Sequence, residues 1–147
     1  DKERQVETSN SWVWLITPEG QPEVAAGMIE VAPDASVAHF GYVLSPEFRG
    51  QGLMTEAVRA VTAVMFELGL AQHRLGIRML VGNDASRQVA ERAGYRQAGR
   101  LRDMEPYGPG EGPSDVYLYE RLRRKRGDDP SAPEVDVVDH NTVVVSL

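Results

Sequence analysis

One turn constrains this chain more than any other feature. Phe48-Arg49-Gly50-Gln51-Gly52-Leu53-Met54-Thr55-Glu56-Ala57 joins a strand-like run, Val37 to Leu44, to a long amphipathic pattern. Pro46 ends the run, because proline cannot donate to a ladder. Met54, Ala57, Val58, Val61, Val64, Met65 and Leu68 recur at three- and four-residue spacings. That spacing predicts a helix from Met54 to Leu68, stopped by Gly69. A glycine-rich turn between a strand and a helix start presents bare backbone N–H groups and the positive end of the helix dipole. It is a cradle for a phosphate or pyrophosphate, and so it points to a nucleotide-like ligand.

The remaining elements follow from alternation and punctuation. Ser11 to Thr17 alternates aromatic and aliphatic residues and reads as a strand. Pro18-Glu19-Gly20-Gln21-Pro22 is turn chemistry, and Glu23 to Val31 reads as the second strand of a hairpin. His73 to Val81 is a strand with Leu75, Ile77 and Met79 on one face. Gly82-Asn83-Asp84 is a turn with an N-cap, leading to a short helix from Ala85 to Ala93 that Gly94 ends. Tyr95 to Arg102 and Val116 to Leu122 read as two more strands. The Gly/Pro-rich loop Glu105 to Ser114 lies between them. The order β-β-β-α-β-α-β-β is that of a mixed α/β chain.

Composition removes several classes. The 147 residues are enough for one domain with its own core. A net charge of −6 does not suit a chain built to hold nucleic acid or an anionic membrane. The absence of cysteine excludes disulfides, thiolate metal sites and a cysteine nucleophile, and fits a reducing, cytoplasmic setting. No apolar run approaches the length of a membrane span. His73 and His140 have no partners at metal-ligand spacing, so no metal site is expected. After Leu122 the character changes: Arg123-Arg124-Lys125-Arg126 is basic and Ser131-Ala132-Pro133 is linker-like. This places a first domain at 1–122 and a charged linker and tail at 123–147. Val143-Val144-Val145 is a candidate strand within the tail.

In order and spacing, these motifs resemble the GNAT superfamily of acetyl-CoA-dependent N-acyltransferases, and within it the RimJ/RimL branch that acetylates ribosomal proteins. The superfamily pattern Gln/Arg-x-x-Gly-x-Gly/Ala reads Arg49-Gly50-Gln51-Gly52-Leu53-Met54 here, departing at Met54. Thr55-Glu56-Ala57, Asn83 with Ser86, and Gly94-Tyr95 match further positions of the branch. The resemblance covers residues 11–122. It implies a mixed, mostly antiparallel central sheet flanked by helices (α+β in some schemes). The strand and helices that usually precede Ser11 are absent or reduced to residues 1–10. A longer parent protein, a partner chain such as a second copy in a homodimer, or the segment Val135 to Leu147 would each complete the sheet.

The resemblance also implies roles. Tyr42-Val43-Leu44 pairs with the pantetheine arm of acetyl-CoA as an added strand. The N–H groups of Arg49, Gly50, Gln51, Gly52, Leu53 and Met54 hold the pyrophosphate, with Thr55 a further cofactor-binding position. Asn83 and Ser86 anchor the arm, and a backbone N–H near Val43 polarises the thioester carbonyl. His39 stands where the branch commonly carries a glutamate base, and Glu30 on the neighbouring strand is an alternative base. The tyrosine that protonates the leaving thiolate in many members would fall at Ala90. Ser86 is the candidate acid in its place. The acceptor is a primary amine, on a protein N-terminus or a small molecule, and Asp115 or Glu111 could hold a cationic one. Two other readings compete. One is a GNAT-like module that binds acyl-CoA without turnover. The other is RNA contact through Arg121 to Arg126, which the acidic total disfavours.

Overall fold

The computed structural model describes residues 11–32, 38–71, 73–104, 114–123, 134–139 and 142–146, by backbone alone in the last two ranges. Alternation of buried and exposed side chains builds the strands β1 (Trp12–Ile16), β2 (Gly27–Ala32) and β3 (Ala38–Leu44). The helix α1 (Leu53–Glu67) follows, then β4 (Arg74–Leu80), α2 (Asp84–Arg92), β5 (Arg96–Met104) and β6 (Ser114–Leu122). Six strands form one sheet in the order β1-β2-β3-β4-β6-β5. All its neighbours are antiparallel except β3 and β4. The mixed, mostly antiparallel sheet agrees with the fold expected from the sequence.

Boundaries differ where turn chemistry outweighs apolar content. The second strand starts at Gly27 rather than Glu23. The segment before it is tied into a turn, with Gln21 N–H on Pro18 O and Val24 N–H on Gln21 O. A 3-10 turn, Pro46–Phe48, precedes the glycine turn and was not foreseen. Tyr95 precedes β5, which runs on to Met104. Val143 to Val145 lies in β8 (Thr142–Ser146), which pairs with β7 (Glu134–Asp139) in a separate two-stranded sheet. The tail therefore does not pair with β1, as one reading of the sequence allowed. Residues 1–10, Val37 and Glu111 lie outside the described residues.

Facing residues across paired strands share a side of the sheet. Ile16, Ile29, Val31, Phe40, Leu75, Ile77 and Met79 are buried on one side against Met54, Val58, Val61 and Met65 of α1. The other side carries Glu30, His39 and Arg78, with Val13, Leu15, Met28 and Val43 exposed. Gly94-Tyr95 is a packing device. Tyr95 is buried, meets Phe40 edge-on at 6.1 Å between ring centroids, and its hydroxyl lies 2.6 Å from that of Thr62 inside α1. Burial pushes the Tyr95 phenol far above its usual range, with the Thr62 hydrogen bond working the other way. Tyr95→Phe strands the buried Thr62 hydroxyl. It is expected to cost about 1–2 kcal/mol in chemical denaturation, and an unchanged midpoint contradicts this.

Candidate active-site cleft

The decisive local feature is the loss of pairing between β3 and β4. These parallel strands pair only from Ala38 to Phe40 against Leu75 to Ile77. Beyond that point they diverge, and a cleft of about 540 Å³ opens between β3, the glycine turn, the start of α1 and the first turns of α2. Tyr42, Val43, Leu44, Arg49, Gly50, Gly52, Leu53, Met54, Thr55, Asn83 and Ser86 line it. Of the cofactor positions expected from the sequence, only Gln51 does not, because its side chain bends back to Glu47 O at 3.4 Å. Ala85, Gln88, Val89 and Arg92 also line the cleft and were missed. They recur on one side of α2, a signal the sequence offered only once that helix was known to face the turn.

The turn is built as a cradle. Gly50 and Gly52 have φ of 77° and 74°, a left-handed conformation that side chains resist. Gly52 caps α1 with no side-chain hydrogen bond. The Arg49 amide is already spent on Pro46 O at 3.2 Å. The amides from Gly50 to Thr55 have no backbone partner among the described residues, since the first intrahelical bond is Glu56 N–H to Gly52 O at 3.1 Å. Six adjacent N–H groups at a helix start suit an anion of pyrophosphate size. The Arg49 guanidinium returns to Leu44 O at 3.1 Å, bracing the end of β3 beside the cradle.

Strand geometry refines the expected oxyanion donor. Ser45 N–H bonds Ala26 O, and the Val43 carbonyl lies against Gly27. Both groups therefore face β2. Backbone groups alternate along a strand, so those of Tyr42 and Leu44 face the gap toward β4, and the Val43 amide does not. The Leu44 carbonyl taken by Arg49 agrees with this alternation.

The remaining positions divide between the two faces. Asn83 caps α2 by accepting from Ser86 N–H at 3.2 Å. The Ser86 hydroxyl lies 2.7 Å from the Tyr42 phenol. His39 and Glu30 are on the opposite face, at diagonal positions of the β2–β3 pair, and do not line the cleft. His39 Nε2 lies 3.3 Å from Arg78 Nη2. Arginine can only donate, so Nε2 is the accepting nitrogen. Asp115 is not free for an amine. Its Oδ2 holds Arg100 at 2.7 Å and its Oδ1 accepts Asp103 N–H at 3.3 Å. The Arg100 hydrogen bond holds its carboxyl below the usual carboxylate range. Arg121 donates to Ala93 O at 2.9 Å, so that side chain is part of the fold, while 124–126 lie outside the described residues.

A family profile described as "Acetyltransferase (GNAT) domain" matches residues 2–96. The chain belongs to the GNAT acetyltransferase family. YdaF of Bacillus subtilis (strain 168), named as an N-acetyltransferase, is 41% identical over 66 residues, which are 45% of this chain and 36% of YdaF. Among solved structures, the Salmonella typhimurium acetyltransferase that modifies the N-terminal serine of ribosomal protein L7/L12 superposes with a TM-score of 0.68 at 26% identity, over 78% of this chain and 64% of that one. RimL in complex with coenzyme A gives 0.67 at 29%, over 76% and 62%. The matched stretch thus spans about a third of YdaF and just under two thirds of these solved relatives.

The match to the GNAT profile agrees with the resemblance read from the motifs. No described helix is long and apolar enough to cross a membrane. No cluster of metal-ligating side chains occurs among the described residues.

Proposed function

We propose that this GNAT-family chain is an acetyl-CoA-dependent N-acetyltransferase that delivers acetyl to a primary amine by direct attack in a ternary complex. The observation that carries this reading is the row of amides from Gly50 to Thr55 that have no backbone partner among the described residues, set at the mouth of the gap between β3 and β4. The cradle fits a pyrophosphate, and the free edge of β3 fits a pantetheine arm lying as an added strand. Bound acetyl-CoA supplies the thioester. The chain supplies the rest: the amides of Tyr42 and Leu44 face the gap, where one of them stabilises developing negative charge on the thioester oxygen. Asn83 and Ser86 flank the arm on the α2 side. Arg92 adds a cation to the cleft wall, suited to a further phosphate.

The amine approaches from the face that bears Glu30 and His39. His39 is the proposed base, taking a proton at Nε2 in exchange for the Arg78 contact. Glu30, with no side-chain partner among the described residues, is the alternative. His39→Ala is expected to lower kcat about a hundredfold with the acetyl-CoA dissociation constant unchanged. An unaltered kcat removes His39 and passes the role to Glu30, where Glu30→Gln is the same test.

The acceptor proposed is a protein N-terminal α-amine. The relatives named for L7/L12 modification support it. Radiolabelled acetyl-CoA would be offered with a peptide bearing a free N-terminal serine, the same peptide blocked at its N-terminus, and spermidine. Label on the free peptide alone is expected. Label on spermidine moves the acceptor to small amines. Binding without transfer to any amine contradicts the enzymatic reading and favours an acyl-CoA-binding module. A cytoplasmic setting and a homodimer belong to the same proposal and await fractionation and light scattering.

A further inference from the structure

We propose that the Tyr42 phenol is the proton donor to the departing sulfur, with Ser86 as the residue that positions it. The inference rests on the transferase reading above and assigns the acid that reading leaves open. Three observations carry it. Tyr42 sits where β3 leaves β4, so its ring stands at the gap. The ring reaches across the cleft floor to the first turn of α2, with its hydroxyl 2.7 Å from Ser86 Oγ and 3.1 Å from Ser86 O. Ala90, where a tyrosine acid on α2 would fall, is fully buried in the core and leaves no room for a phenol. A hydroxyl therefore arrives beside α2 from the opposite strand.

The hydrogen-bond arithmetic favours Tyr42 over Ser86 as the donor. In the arrangement where the phenol donates to the Ser86 carbonyl, the contact between the two hydroxyls is made by Ser86 Oγ–H donating to Tyr42 Oη, and the serine proton is then committed to the phenol. The Ser86 carbonyl lies inside α2 and already receives the amide four residues on, so it survives loss of the phenol. The phenol O–H can turn from that carbonyl to a sulfur in the cleft while keeping the bond from Ser86. Burial raises the Tyr42 pKa, with the Ser86 bond opposing it, so the phenol keeps its proton at neutral pH.

The step balances as follows. The amine lone pair forms the C–N bond to the thioester carbon, and the C–S bond breaks with its electron pair on sulfur. Sulfur takes the phenol proton, and Ser86 Oγ–H stabilises the phenolate. The new amide nitrogen gives up its proton to His39 Nε2, and proton exchange with solvent then restores the phenol and the neutral imidazole. Nothing is oxidised or reduced.

The test compares Tyr42→Phe, which removes only the hydroxyl, with Ser86→Ala, which leaves the Asn83 cap on the Ser86 amide intact. Calorimetric titrations would use CoA and desulfo-CoA on the full chain. The wild type should bind CoA more tightly than desulfo-CoA, and Tyr42→Phe should bring the ratio to about one without weakening desulfo-CoA binding. With an amine that accepts acetyl, Tyr42→Phe should lower kcat about 10²–10³-fold at unchanged KM for acetyl-CoA, and Ser86→Ala should lower it less. A CoA to desulfo-CoA ratio unaltered in Tyr42→Phe, or a larger loss in Ser86→Ala than in Tyr42→Phe, overturns the assignment and leaves the transferase reading standing. Failure of the wild type to bind either compound overturns both.

Discussion

Gly52→Glu is expected to weaken acetyl-CoA binding about a hundredfold. Two effects are at work. Gly52 has φ of 74°, and a side chain held there costs about 1–2 kcal/mol. The new carboxylate also lies at the helix start where the cradle amides converge. Like charges about 4 Å apart repel by about 1 kcal/mol in water and by more in a partly desolvated cleft. A repulsion of about 3 kcal/mol is roughly two decades of affinity, whereas the strain is present in the free and the bound chain alike and lowers stability. Gly52→Ala separates the terms, because no atom lies near an added Cβ and only the backbone strain remains. A calorimetric titration of both variants decides it. Equal losses in the two would mean that charge at this position is irrelevant and that no anion sits there.

The second large effect is on stability. At Gly27 an added Cβ would collide with the carbonyl oxygen of Val43 and press on Leu44. The Val43 oxygen and the Leu44 Cα are backbone atoms that cannot swing aside, although the Leu44 side chain can. Gly27→Ala is expected to destabilise the fold by about 1–3 kcal/mol, as overpacking does, and to lower Tm by several degrees. It also pushes on the part of β3 that forms the cleft edge, so the affinity for acetyl-CoA should fall with it. A variant as stable as the wild type would mean that β2 and β3 are not packed this closely.

Much of this was legible in the residues because the signals were local. The Gly50 and Gly52 turn, the periodicity of α1 and the Asn83 cap each depend on neighbours within a few positions. Alternation placed Leu75, Ile77 and Met79 in the core of β4. What escaped was non-local. The start of β2 was set by hydrogen bonds from Gln21 and Val24 rather than by the apolar content of Glu23 to Ala26. The lining role of Gln88 and Arg92 depends on how α2 docks against the turn. The contact between Tyr42 and Ser86 spans 44 residues, so no spacing rule could pair them. Asp115 reads in the sequence as a solvated loop charge or an amine contact, because its partner, Arg100, reaches it from the neighbouring strand β5. The Gly94-Tyr95 step was read as a family mark, and the structure supplies its physical reason in the Thr62 hydroxyl.

The central claim is that acetyl-CoA lies along β3 with its pyrophosphate on the amides that begin α1. Titration of the nitrogen-15-labelled chain with acetyl-CoA, followed by amide NMR, tests this most directly. Saturable shifts concentrated at Gly50 to Thr55 and at Tyr42 and Leu44 are the expected result. Saturable shifts that leave those amides unmoved, or no saturable shift at all, would contradict it.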